Sequence, residues 1–264
     1  MHGKAPVIVA ALEALELAFR QTPAGLDTDR FGTFTRDVAR AGDQMEAARA
    51  KAQAALDLWP WAQVAIASEG AFGPHPALPI VPGGHEIVLM RDRDGRELIG
   101  ADRTFDTNYA HQQVSAPDDA RHFADLCGFP AHGLVLMTPG GAQPITKDIA
   151  DWAAFDRAVA AAIAEHGAVW IETDMRAHRN PRRMASIGRA AANLAERWAA
   201  RCPVCAHPGW VPQLGPGRPC GWCGAPTQSA WRQLYQCLGC GHAVEGVLEP
   251  DRRADPASCD QCNP

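Results

Sequence analysis

Lysine is scarce in this chain: three (Lys4, Lys51 and Lys147) stand against 22 arginines in 264 residues. Alongside so much alanine, that skew reads as coding bias, so an isolated arginine carries little functional weight. Positive charge is also in deficit. A formal net charge of −5 excludes a broadly basic nucleic-acid binder and leaves room only for a local basic patch. No stretch approaches the 18 apolar residues of a membrane span. The opening Met1-His2-Gly3-Lys4-Ala5-Pro6 carries neither the apolar core nor the cleavage site of a signal peptide. The expected location is cytoplasmic, without membrane contact. There the nine cysteines stay reduced and available to metal.

What is present describes a globular protein, with 47% hydrophobic and 21% charged residues. The length allows one medium domain plus a small module. Apolar positions 8, 12, 15 and 19 predict a helix over 6–20 with Pro6 in its first turn. Asp43 with Glu46 forms a capping-box pair that opens a second helix, closed by Trp59-Pro60. Residues 63–68 read as a buried strand running into a turn-rich loop, Glu69-Gly-Ala-Phe-Gly-Pro-His75-Pro76. A hairpin follows, with strands 85–91 and 96–103 about Asp94-Gly95. Helices are expected over 118–126, 151–165 and 181–200, and strands over 133–138 and 168–174. Strands alternating with helices predict an α/β domain over 1–201, built on a mixed sheet with flanking helices. The helical period ends near residue 201, and residues 202–264 form a separate module.

That module carries four C-x₂-C pairs: Cys202/Cys205, Cys220/Cys223, Cys237/Cys240 and Cys259/Cys262. Two thiolates on one tight turn chelate one ion, and a closed structural Zn²⁺ site takes four, so eight cysteines predict two structural Zn²⁺. The pairing of the four pairs stays open. Cys220-x₂-Cys223-Gly followed by Tyr235-x-Cys237-x₂-Cys240-Gly looks like a zinc ribbon. This favours a nested arrangement, with Cys202/Cys205 joining Cys259/Cys262, over sequential and then interleaved pairing. Four thiolates and one dication leave each centre near −2, so the module suits protein contact better than a nucleic-acid backbone. Cys127 stands alone and reads as a small buried apolar residue.

Two segments carry candidate chemistry in the larger domain. The first is Trp170-Ile-Glu172-Thr-Asp174-Met-Arg176-Ala-His178-Arg-Asn180-Pro181. It places Glu172 and Asp174 near a strand end, cations after them, and a helix start at Pro181 whose free N–H groups favour an anion. Arg183 flanks the apolar face of that helix. The second is Ser68-Glu69-Gly70 through His75, where a carboxylate ends a buried strand. His75 reads equally as a ligand or as a rigid-loop residue, and Glu46 as a capping residue or a ligand. The plain alternative is a solvated, salt-bridged strand end for the first segment and a turn whose Glu caps backbone groups for the second.

These stretches resemble an uncharacterised bacterial family, a domain of unknown function with a cysteine-rich tail. The likeness rests on Asp27-Thr-Asp29, Phe31-Gly-Thr-Phe34, Ala67 through Pro76, Thr107-Asn108, Trp170 through His178, Asn180-Pro181 with Arg183-Met184, and Cys259 through Pro264. The family implies no activity. Its pattern opens with an apolar strand and a Lys-His-x-Lys-Glu-like motif, for which His2-Gly3-Lys4-Ala5 is a shortened version. Either the start is misassigned or one strand is missing. A fainter resemblance links Glu46-Ala-Ala-Arg-Ala-Lys51-Ala and Ser68-Glu69-Gly70 to inosine-triphosphate pyrophosphatase-like enzymes. That resemblance implies Mg²⁺ or Mn²⁺ held by helix and strand-end acids, with cations on a phosphate.

The expected function is therefore a divalent-metal-dependent nucleotide or phosphate-ester hydrolase with a structural zinc tail. Glu69, Glu172, Asp174 and Glu46 are the catalytic acids. Lys51, His75, Arg176, His178, Asn180 and Arg183 hold a small phosphorylated ligand. The rivals are a non-enzymatic ligand- or protein-binding scaffold and a nucleic-acid-associated zinc ribbon.

Overall fold

A computed structural model describes residues 3–22, 42–75 and 78–263; His2, Asp27-Thr-Asp29 and Phe31 through Phe34 lie outside the described residues, as do Pro76 and the side chain of His75. The chain is a mixed α/β protein. By internal packing it divides into two compact units, Met1–Ala195 and Glu196–Pro264.

In the first unit, α1 (Ala5–Ala11) carries Pro6 in its opening turn. It is shorter than the pattern predicts. The chain tightens into a 3₁₀ turn, Glu13–Leu15, and stops at Glu16 with φ 53°. The tighter turn stacks positions three apart, so Leu12 and Leu15 bury together. In α2 (Gln44–Leu58) both halves of the expected capping box form: Asp43 accepts the Glu46 amide at 2.7 Å, and Glu46 accepts the Asp43 amide at 2.8 Å. Its Ala48, Ala52 and Leu56 pack on Ala65, Ala67, Ile87 and Leu89 of the first sheet.

That sheet is β1 (Val64–His75), β2 (Leu78–Asp92) and β3 (Glu97–Thr104), in that order and antiparallel. The Glu69–His75 stretch, expected as a loop, is the second half of β1. Gly70 lies opposite Glu86 and Gly73 opposite Gly83. Glycine and proline read as breakers in sequence, but here glycine-rich segments of two strands face each other across one ladder. β3 is pressed against α5 (Pro181–Ala199): a side chain on Gly100 would lie 2.7 Å from Leu194 Cβ.

The second sheet has the order β4 (His111–Val114), β7 (Val169–Thr173), β5 (Leu134–Met137), β6 (Pro144–Thr146). β4 and β5 both run antiparallel to β7, so they are parallel to each other, joined through α3 (Pro117–Leu126). The strand–helix–strand pattern is therefore real, but β7 inserts between the two strands. Every pair of named strands is antiparallel, in two sheets rather than a single mixed one. Val114, Leu134, Leu136 and Ile171 face Phe123 of α3 and Phe155 and Val159 of α4 (Trp152–His166). Cys127 belongs to this core, and burial pushes its thiol up to about 11. Asp151 caps α4, and Gly167 closes it at φ 76°.

The second unit is built on β8 (Gln213–Pro216), β9 (Ala230–Gln236) and β10 (Ala243–Val247), with β9 in the middle of an antiparallel sheet.

Candidate functional site

Three C-x₂-C turns of the second unit repeat one local design. The amide two residues after the first cysteine points at its sulfur (Val204, Trp222 and Gly239, at 3.3–3.4 Å). The first cysteine's amide bonds the carbonyl five residues on: Cys202 to His207, Cys220 to Ala225, Cys237 to His242. A left-handed residue follows each pair, at Ala206, Gly224 and Gly241. Such turns present two sulfurs on one side.

The pairs combine as Cys202, Cys205, Cys237, Cys240 and as Cys220, Cys223, Cys259, Cys262. This is the interleaved pairing, and it corrects the nested expectation. Register gives the reason. Gln213 at the start of β8 lies opposite Leu234 near the end of β9, so the pair preceding β8 arrives beside the pair following β9. At the other end Pro216 meets Ala230 and Val247 meets Arg232, which gathers the pair between β8 and β9 with the chain leaving β10. A ribbon reading treats β9–β10 as an isolated hairpin and misses that β9 is shared.

Each tetrad fits a metal ion. Sulfurs 2.3 Å from a tetrahedral centre stand about 3.8 Å apart; the sulfurs here are 3.9 and 3.5 Å apart in the first tetrad and 3.8 and 3.6 Å in the second. Arg218 of this unit turns inward and is buried. It donates to the carbonyls of Ala230, Glu249 and Arg252 at 3.0–3.2 Å.

In the first unit the two motif segments meet at Arg183. Its guanidinium bonds Glu86 at 2.6 Å and the Met175 carbonyl, and it lies over the Phe72 ring at 5.4 Å. Gly70 makes room for this pair, since a side chain there would lie 2.8 Å from Glu86 Cδ and 2.9 Å from Arg183 Nη2. Next along β1, buried Glu69 pairs with Lys51 of α2. Lys4 donates to Ser68, to its carbonyl at 3.4 Å and its hydroxyl at 3.3 Å. Burial pushes the Lys4 amine down to about 7, helped by Arg183 and Lys51 and opposed by Glu86 and Glu69.

Lys4 and Lys51 border a cavity of about 280 Å³ between α1, α2, β1 and residues 17–22. Ile8, Ala55, Trp59, Val64 and Ile66 supply apolar wall, and Ser68 lies at its polar end.

The remaining expected residues are engaged elsewhere. Asp174, fully buried, accepts Arg176 through both carboxylate oxygens at 2.6–3.0 Å and accepts its amide at 2.9 Å. Arg176 also pairs with Asp148 at 2.6 Å. Asn180 caps α5 by accepting the Arg183 amide at 3.0 Å and donates to Asn108 at 2.8 Å. Glu172 accepts from Trp170 at 3.3 Å, on a sheet face that also carries His111, stacked on Trp170 at 4.7 Å. His178 is exposed; partial desolvation and nearby Arg176 hold its imidazole below the usual range. Glu46 is occupied in its capping box. Among the described residues only the two cysteine tetrads bring three or more metal-ligating groups together.

Sequence reasoning missed Glu86 and set Lys4 aside. Glu86 was visible as an acid leading the apolar run Ile87-Val-Leu-Met90, where burial demands a partner. Lys4 gave only the rarity of its residue type and its place in the shortened motif His2-Gly3-Lys4-Ala5.

A family model described as Domain of unknown function (DUF6671) matches residues 51–264. No curated protein and no solved structure matches the chain. The chain belongs to the DUF6671 family.

Proposed function

We propose that this DUF6671 chain is a zinc-stabilised small-molecule-binding protein whose α/β unit takes an organic anion with an apolar body. The observation carrying this reading is the convergence of two of the chain's three lysines on one cavity. Lys4, Lys51 and Arg20 line that cavity, and among the described residues no carboxylate lines it. A cationic excess beside a partly apolar cavity favours an anion whose carbon skeleton fills the wall. A phosphate monoester and a carboxylate share that chemistry. The eight cysteines hold two Zn²⁺ in a structural role, because all-thiolate tetrahedral sites select zinc and leave no open position for a substrate.

The test is thermal unfolding with hexyl phosphate and with hexanoate, in the wild type and in Lys51→Ala. Saturating ligand at about 100 times its Kd adds about 2.7 kcal/mol, or roughly 5–10 °C for a unit of this size. The shift is expected to vanish in Lys51→Ala. A flat wild-type response, or an equal shift in the variant, sinks the reading. Metal analysis is expected to return two zinc ions per chain.

One observation favours hydrolysis at the same place. Glu86 Oε2 is buried and, among the described residues, has no hydrogen-bond partner; with Glu69 nearby it would help hold Mg²⁺ or Mn²⁺ against a bound phosphate ester. A nucleoside-triphosphate panel with either metal tests this. Absence of turnover in a protein that still binds hexyl phosphate removes the hydrolase and keeps the binding site.

A further inference from the structure

The Lys4 amine has an unusual setting for a lysine. Among the described residues its hydrogen bonds go to Ser68 alone, at 3.3 and 3.4 Å, and it forms no ion pair. The two carboxylates in the neighbourhood are committed to other cations, Glu69 to Lys51 and Glu86 to Arg183. The charged groups around Lys4 are Glu69 of β1, Glu86 of β2, Lys51 of α2 and Arg183 of α5, with Arg20 on the cavity wall. A partly buried amine next to two other cations, on the wall of a partly apolar cavity, is an activated nucleophile, because its neutral form is populated at neutral pH.

We propose that Lys4 is a carbonyl-condensing amine and that the ligand of this cavity is an anionic carbonyl compound, an oxo acid with an apolar chain. This rests on the anion-binding reading above. Lys51 and Arg20 on the cavity wall supply positive charge for the acid group, and the wall of Ile8, Val64 and Ile66 takes the chain. The Lys4 nitrogen lone pair forms a bond to the carbonyl carbon while the C=O π pair moves to oxygen. The nitrogen gives up one proton and the oxygen takes one, with the Ser68 hydroxyl in reach to pass it. The carbinolamine then takes a second proton on its oxygen and loses water, leaving an iminium at Nζ. No oxidant or reductant is consumed.

The experiment incubates the full-length, zinc-loaded protein with 2-oxohexanoate and cyanoborohydride, which reduces the iminium to a stable secondary amine. Intact mass and peptide mapping then locate the label. With only three lysines and one α-amine, the assignment is unambiguous. We expect one adduct at Lys4, formed at least tenfold faster than at Lys147 or the α-amine. It should slow at least fivefold in excess hexanoate. The rate should climb with pH and level off above about 7, as the Lys4 ammonium gives up its proton. Lys4→Arg should lose the adduct while its far-UV circular dichroism stays that of the wild type, which shows that the variant is folded. Hexanoate binding without selective labelling of Lys4 overturns the covalent inference and leaves the binding site standing. Lack of both overturns the two together.

Discussion

Ala206 and Gly70 show what one side chain does in this molecule. The left-handed residue after a C-x₂-C pair is glycine at Gly224 (φ 74°) and Gly241 (φ 75°), but alanine at Ala206 (φ 58°). A Cβ in that region costs about 1 kcal/mol. Ala206→Gly is therefore expected to stabilise the second unit by about 0.5–1 kcal/mol, less a small entropic loss. Urea unfolding followed through Trp210, which stacks on His242 at 5.2 Å, measures it; an unchanged or lowered midpoint contradicts it. Gly70 has the opposite sensitivity. Gly70→Ala drives a methyl into the Glu86–Arg183 pair, and disturbing a buried pair costs about 3–5 kcal/mol. Its melting temperature should fall steeply, whereas Gly73→Ala, with nothing among the described residues within 4 Å of the added carbon, should fall much less. At this scale the sequence was legible where chemistry is local. Asp43 with Glu46 is a capping box because both partners lie within one turn. The fates of Asp174 and Asn180 were not legible, because Arg176, held on Asp174 and Asp148 together, and Asn108, bonded to Asn180, compete with any ligand only once the chain is folded.

Elements were readable by period and unreadable by partner. α2, α4 and α5 appear close to their expected limits, since each has a cap and an apolar stripe. The second half of β1 was hidden because Gly-Ala-Phe-Gly-Pro has the composition of a turn, and only pairing with Gly83 and Gly84 of β2 keeps it extended. The cysteine pairs follow the same division. Each C-x₂-C turn is written locally, while the choice of partner depends on β9 being shared by β8 and β10. Interleaving makes a prediction that nested or sequential pairing does not. In protein stripped to one metal per chain, alkylation should spare one set of four, either Cys202, Cys205, Cys237 and Cys240 or Cys220, Cys223, Cys259 and Cys262, within each molecule. Protection of Cys220 together with Cys237 in a one-metal species would refute the pairing.

At the scale of the whole chain, the two units are held by different forces. Met1–Ala195 has a conventional core of Leu, Ile, Val and Phe, including Leu134, Leu136, Phe155, Ile171 and Leu194. In Glu196–Pro264 the buried hydrophobic residues, among those described, are Cys202, Cys220, Cys237, Cys259 and Ala254. One alanine and four small thiols bury too little apolar surface to make a core of their own, so metal binding at the two all-thiolate sites is the dominant stabilising contribution in this unit. Removing metal with a strong chelator should therefore unfold the second unit and leave the first folded. Hydrogen exchange read by mass spectrometry is the measurement. Amides of β8, β9 and β10 should exchange fully within seconds after chelation, while those of β2, β5 and β7 keep their protection. Retained protection in β9 after both metals have left would mean that the three-stranded sheet stands on its own side chains. The eight cysteines would then need a reason other than stability.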